Sequence, residues 1–102
     1  MQTIWEVNRH GIENLCRQFG VNRLEVFGSA TGDGFDPGRS DVDLLVRFEP
    51  CPPEDHADRY FGLLSALRDL LGREVDLLEI DALSNPYLIR EIDATRTLVY
   101  AS

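Results

Sequence analysis

In the stretch "VFGSATGDGFDPGRSDVDLLVRF", residues 26–48, a Gly-Ser pair and an Asp-x-Asp pair stand at the two ends of a loop between two apolar runs. If the second run is a strand, Asp41 and Asp43 point the same way with α-carbons ~6.6 Å apart. Two carboxylates that close repel by roughly 2–3 kcal/mol at an effective dielectric of ~20, and a divalent cation turns that repulsion into binding energy. A pair of hard oxygen ligands with room for water suits Mg²⁺, which takes one or two carboxylates and completes its shell with water and substrate phosphates. At the other end of the loop, Gly28 lets backbone approach an anion closely, and Ser29 and the amides after it can donate hydrogen bonds to phosphate oxygens. Each feature alone is more commonly a turn or a cap.

The third strand supplies the deciding residue. Asp76 lies in "REVDLLEI" between Val75 and Leu77, where an unpaired carboxylate would be expensive to bury. The alternative is a partly exposed residue on an edge strand. "VDLLV" and "VDLLEI" are similar acid-in-apolar patterns, and in adjacent strands they would set Asp43 and Asp76 side by side. Three carboxylates converging beside a Gly-Ser turn meet the needs of two-metal phosphoryl or nucleotidyl transfer, in which ions ~3.5–4 Å apart clamp the attacking and leaving oxygens.

The elements that must hold these residues are legible in the periodicity. Ile12, Leu15, Cys16 and Phe19 fall at helical spacing, and Gly20 closes that helix. Residues 22–27 alternate Leu24 and Val26 against Arg23 and Glu25, which predicts a half-buried strand. "VDLLVRF" from Val42 is more continuously apolar and predicts a central strand. Ala57, Tyr60, Phe61, Leu63, Leu64, Leu67 and Leu71 predict an amphipathic helix, with Asp55 as its N-cap and Gly72 as its stop. Asn85 as N-cap and Pro86 at the first helical position open a last helix. It leads through "DATRT" into a short strand, Leu98 to Tyr100. The expected fold class is α/β, a small sheet packed against α-helices with one helical layer on a face.

Bulk properties narrow the function. The 102 residues, 43% hydrophobic and 27% charged, predict one globular domain, 1–102, with a core that needs no disulfide. No apolar run approaches the ~18 residues of a membrane span and the N-terminal residues do not resemble a signal peptide, so a cytoplasmic protein without a membrane partner is expected. Cys16 and Cys51 fit neither a disulfide framework nor a zinc site and read as reduced bystanders. The net charge is −8 and all ten basic residues are arginines. So acidic a chain is a poor partner for a long nucleic acid, although a small anion held through a metal suits it. His10 and His56 read as surface or satisfied histidines. Asp33 and Asp36 read as turn formers, and Asp55, Asp58, Asp69, Asp81 and Asp93 as caps or solvated carboxylates.

Gly28-Ser29, eleven residues, Asp41-x-Asp43, then Asp76 on a later strand resembles the nucleotidyltransferase fold of the DNA polymerase beta superfamily. More narrowly, "FGSATGDGFDPGRSDVDLLVRF", "LLGREVDLLEIDAL" and "NPYLIREIDATRTLVYA" are similar to the minimal nucleotidyltransferase (MNT) proteins, over most of the chain from Leu24 to Ala101. The resemblance implies a nucleotidyltransferase fold with a small mixed β-sheet packed against α-helices. It implies that Gly28 and Ser29 hold the nucleotide's phosphates and that Asp41 and Asp43 bind metal. Asp76 is the third carboxylate, binding one metal and helping to activate the attacking hydroxyl. The implied cofactors are two Mg²⁺ ions, with ATP as nucleotide donor. Many such proteins carry a basic residue directly after the Gly-Ser. Here Ala30, Thr31 and Gly32 follow and the first cation is Arg39, which the resemblance places near the triphosphate.

A 102-residue chain of this kind is expected to lack room for an acceptor domain, so the acceptor is another chain or is held by one. In the MNT group that partner is a HEPN-domain RNase toxin, and the resemblance implies an antitoxin that moves AMP from ATP onto a tyrosine of its partner. The alternatives are an antitoxin that neutralises its toxin by contact alone, and a subunit modifying a small molecule such as an aminoglycoside.

Overall fold

Four strands in the order β3-β2-β1-β4 form the sheet on which the molecule is built. They are β1 Val21–Phe27, β2 Val42–Phe48, β3 Val75–Glu79 and β4 Thr97–Ala101. The computed structural model describes residues 4–28 and 42–102. Ser29, Asp33, Asp36, Arg39 and Asp41 therefore lie outside the described residues. β1 runs antiparallel to both β2 and β4, whereas β2 and β3 are parallel, which makes the sheet mixed. Parallel neighbours cannot be joined by a tight turn. The crossover between them is the long helix α3, Pro53–Leu71, following the shorter α1, Ile4–Val7, and α2, Arg9–Gln18, near the N-terminus. The fourth helix, α4, Pro86–Thr95, precedes β4.

The helix ends follow the sequence signals with one exception. Gly20 and Gly72, both at φ 68°, stop α2 and α3 in the left-handed conformation that glycine adopts without strain. Asn85 caps α4, its side chain accepting hydrogen bonds from the backbone N–H groups of Tyr87 and Leu88. The exception is Asp55. Helix α3 begins three residues earlier, with Pro52 as its cap and Pro53 at the first position, so Asp55 sits within the first turn, where its charge favours the helix dipole.

The main core lies on one face of the sheet. Leu24, Val26, Val42, Leu44, Val46, Val75, Leu77 and Val99 meet Ile12 and Cys16 of α2 and Leu63, Leu67 and Leu71 of α3. The Tyr60 hydroxyl donates to the Leu77 carbonyl at 2.6 Å, tying α3 to the edge strand β3. Burial pushes the Cys16 thiol up to about 12, so it stays protonated and unreactive. Cys51 is likewise free of any disulfide.

The expectation of helices on a single face is corrected by a second, smaller core. Phe27 and Leu45 point to the opposite face and pack against Ile92 of α4, with Leu78, Ile80, Leu83 and Leu88 around them. β1 is consequently buried on both sides, and Glu25, read as solvent-facing from its alternation, is only 3% exposed. No described helix is long and apolar enough to cross a membrane.

Candidate active site at the β1–β2–β3 corner

The parallel register of β2 and β3 pairs Asp43 with Asp76, and the antiparallel register of β1 and β2 places Phe27 opposite Asp43. Residues paired across strands share a face, so both carboxylates point to the side that carries Phe27, Leu45 and α4. The Val42 amide donates to the Glu74 carbonyl at 3.1 Å, which fixes the starts of β2 and β3 against each other. The apolar patterns "VDLLV" and "VDLLE" thus align residue for residue, and the two acids come with them.

Gly28, the first residue beyond β1, completes the corner. Its φ is 73°, and a β-carbon built on it would fall 2.6 Å from Asp43 Oδ2. The position therefore demands glycine twice, for its backbone conformation and for the space that the carboxylate occupies. Asp43 is half-buried, whereas Asp76 is exposed. The reading of Asp76 as a costly buried acid is thus corrected. β3 is an edge strand, its second face is open at that point, and the carboxylate faces solvent beside its partner instead of being enclosed.

Two adjacent carboxylates, one on an exposed residue, beside a glycine at φ 73°, are a donor set suited to Mg²⁺. Among the described residues no three His, Cys, Asp or Glu side chains gather closely enough to hold a metal ion. The described pair is Asp43 and Asp76; Asp41, the remaining carboxylate of the expected set, lies outside the described residues.

Sequence reasoning missed the residues that brace the corner. The Gly28 N–H donates to Thr95 Oγ1 at 2.9 Å across 67 residues of chain. The next residue, Arg96, donates from Nε to Glu25 Oε1 at 3.1 Å and from Nη2 to the other carboxylate oxygen, while Nη1 donates to Asp93 at 2.8 Å. Burial pushes the Glu25 carboxyl up, but hydrogen bonds and charge from Arg96 and Arg23 outweigh it and hold its pKa below the ordinary 4.5. The available signal was Glu25 itself, an acid between Leu24 and Val26, but nothing local names a partner 71 residues away.

A groove of about 380 Å³ lies at the far end of the β2–β3 ladder, lined in part by Arg47, His56, Glu79 and Asp81. There Arg47 pairs with Asp81 at 3.0 Å and His56 Nε2 lies against the Glu79 carboxylate, and the groove lies away from the carboxylate corner. His56 is thus a satisfied surface histidine.

The nucleotidyltransferase domain model matches residues 9–99. A candidate protein adenylyltransferase of Methanocaldococcus jannaschii is 34% identical over 96 residues, covering 91% of this chain and 94% of that protein. The solved structure of a candidate minimal nucleotidyltransferase is also 34% identical, with a TM-score of 0.66 over 90% of this chain and 89% of that one. The complex of the tri-AMPylated Shewanella oneidensis HEPN toxin with MNT antitoxin contains a chain of the same fold. It has a TM-score of 0.65 and 18% identity, covering 96% of this chain and 73% of that one. With the domain model spanning residues 9–99 and two relatives at 34% identity each covering at least 90% of the sequence, this chain belongs to the nucleotidyltransferase domain family.

Proposed function

We propose that this protein transfers AMP from ATP to a hydroxyl of a partner protein, a tyrosine of a HEPN-type toxin, and so acts as its antitoxin. The observation that carries the reading is the in-register pairing of Asp43 with Asp76 beside the Gly28 turn. The name of the M. jannaschii relative and the AMP-modified toxin of the S. oneidensis complex support the class of acceptor.

In this reading Asp41, Asp43 and Asp76 would hold two Mg²⁺ ions, and Gly28 and Ser29 would receive the phosphates, with Arg39 as the first cation available to them. When bound, Mg²⁺ supplies positive charge to the phosphate oxygens and makes the attacking hydroxyl more acidic. The acceptor oxygen bonds to the α-phosphorus, the bond from that phosphorus to the bridging oxygen breaks, and pyrophosphate leaves. In this reading Asp76, an exposed residue on the sheet's edge strand, would help to take the hydroxyl proton from the arriving acceptor. Asp43, half-buried at the centre of the corner, keeps the donor side in place.

The absence of a basic residue after Gly28-Ser29 favours the second reading, an antitoxin acting by contact alone. Intact-mass spectrometry of a co-encoded helical partner, incubated with this protein, ATP and Mg²⁺, separates the two. The expected result is a partner heavier by one or more AMP units. A stable complex that suppresses toxicity with no mass change under any divalent metal would establish the contact-only reading instead.

A further inference from the structure

We infer that Thr95 is a positioning residue for the phosphate-binding turn: its hydroxyl oxygen, fixed at the end of α4, holds the Gly28 backbone in the conformation a nucleotide requires. The inference rests on the nucleotide-binding reading of the corner. Gly28 is the residue for which a fixed conformation is least automatic, because glycine populates positive and negative φ about equally and loses the most freedom when held. At Gly28 the chain has just left the β1 ladder, and its N–H donates to Thr95 Oγ1 at 2.9 Å. A turn already held in place spares an incoming triphosphate the cost of ordering it.

Thr95 can do this because it cannot drift. Its own hydroxyl proton points back to the Glu91 carbonyl at 3.4 Å, which leaves the oxygen's lone pairs for the Gly28 N–H. One turn earlier, Ile92 is 1% exposed against Phe27 and Leu45. One residue later, Arg96 grips Glu25 on β1, the strand that Gly28 directly follows. Two residues later, Thr97 pairs with Val26 of the same strand. Three independent attachments to the β1–β2 surface therefore bracket Thr95, a residue that is itself exposed. An exposed threonine so anchored contributes little to the core, and what it sets is the position of the Gly28 amide.

The test compares wild type, Thr95→Val and Thr95→Ser in two measurements. The first is calorimetric affinity for a non-hydrolysable ATP analogue with Mg²⁺; the second is amide hydrogen exchange at Gly28 by NMR without nucleotide. Valine keeps the branched shape and removes the acceptor, whereas serine keeps the acceptor and removes the methyl. Thr95→Val should bind the analogue about fivefold more weakly, the equivalent of one net hydrogen bond. Its Gly28 amide should exchange faster. Thr95→Ser should match wild type within about twofold in affinity. Equal affinity of wild type and Thr95→Val, loss in Thr95→Ser as large as in Thr95→Val, or an unprotected Gly28 amide in wild type would each overturn the role of Thr95. If wild type itself fails to bind the analogue, the nucleotide-site reading falls and takes the inference with it. That failure is distinguishable because the exchange data still report whether Thr95 holds Gly28.

Discussion

Replacing Asp43 with Asn should lower AMP transfer on the order of 10³-fold, because a neutral amide cannot serve as the hard anionic ligand that the phosphate chemistry needs. The side chain keeps its shape, and the β1, β2 and β3 registers around it rest on backbone pairing that the change leaves alone. The variant should therefore melt within about 5 °C of wild type, the shift expected for roughly 1 kcal/mol in a domain near this size. It should also still bind its partner. Asp69→Asn provides the control, since Asp69 is an exposed residue on α3, which covers the opposite face of the sheet. Transfer assayed by intact mass should be untouched there. Asp93 would be a poorer control, because the structure ties its carboxylate to Arg96 at 2.8 Å and so to the brace behind Gly28. Equal transfer by the Asp43 and Asp69 variants would remove Asp43 from the site.

Arg96→Leu should cause a large loss of stability for a substitution at one partly exposed charge. It strands a carboxylate that is 3% exposed, and breaking a buried pair costs about 3–5 kcal/mol because the remaining charge is uncompensated. Two features reduce the figure here. The Arg96 side chain is itself 35% exposed, and Arg23 still approaches Glu25 at 3.4 Å. About 2 kcal/mol is expected, or roughly 8–16 °C in melting temperature. The pH dependence gives the sign. In wild type the Glu25 pKa is lowered, so its contribution is present above the unfolded value near 4.5 and is lost as pH falls through the folded value. In the variant, burial is opposed by Arg23 alone and the carboxyl gains from protonation, so acid penalises the variant less than wild type. The stability gap measured by denaturant melts should be full at pH 7 and narrow below about pH 4.5. A gap that is constant with pH would mean that the arginine acts through packing of its stem. Glu25→Leu combined with Arg96→Leu should recover most of the loss, since two apolar residues can replace a buried pair without penalty.

How much of this was written in the sequence depends on the range of the interaction. The start of helix α4 was legible, because Asn85 and Pro86 act through local backbone geometry and the structure shows the cap that they predict, whereas its last residues, Asp93 to Thr95, were read as part of the connection to the final strand. The β2–β3 pairing of Asp43 with Asp76 was legible because two similar apolar patterns in adjacent strands can bring their acids into step, as the observed register does. Asp55 as the α3 cap was misjudged for a local reason: two prolines upstream start the helix earlier than the first capping side chain. The second core and the buried Glu25 were not legible. Strand alternation shows which side chains share a face, but it says nothing about whether another element will cover that face. Only the return of α4 across β1 decides that Glu25 is enclosed and that Arg96 must meet it. Thr95 was hidden for the same reason, since a hydroxyl in "DATRT" carries no trace of the glycine 67 residues upstream that it holds.

The central claim is that the Gly28, Asp43 and Asp76 corner transfers a nucleotidyl group to a protein. Its most direct test is a pair of reactions with ATP labelled at either the α- or the γ-phosphate, each run with Mg²⁺ and the partner and then denatured and resolved by gel. AMP transfer leaves the α label on the partner and releases the γ label as pyrophosphate, so the predicted result is a labelled partner in the α reaction alone. Neither label on the partner, or label from the γ reaction, would contradict the account.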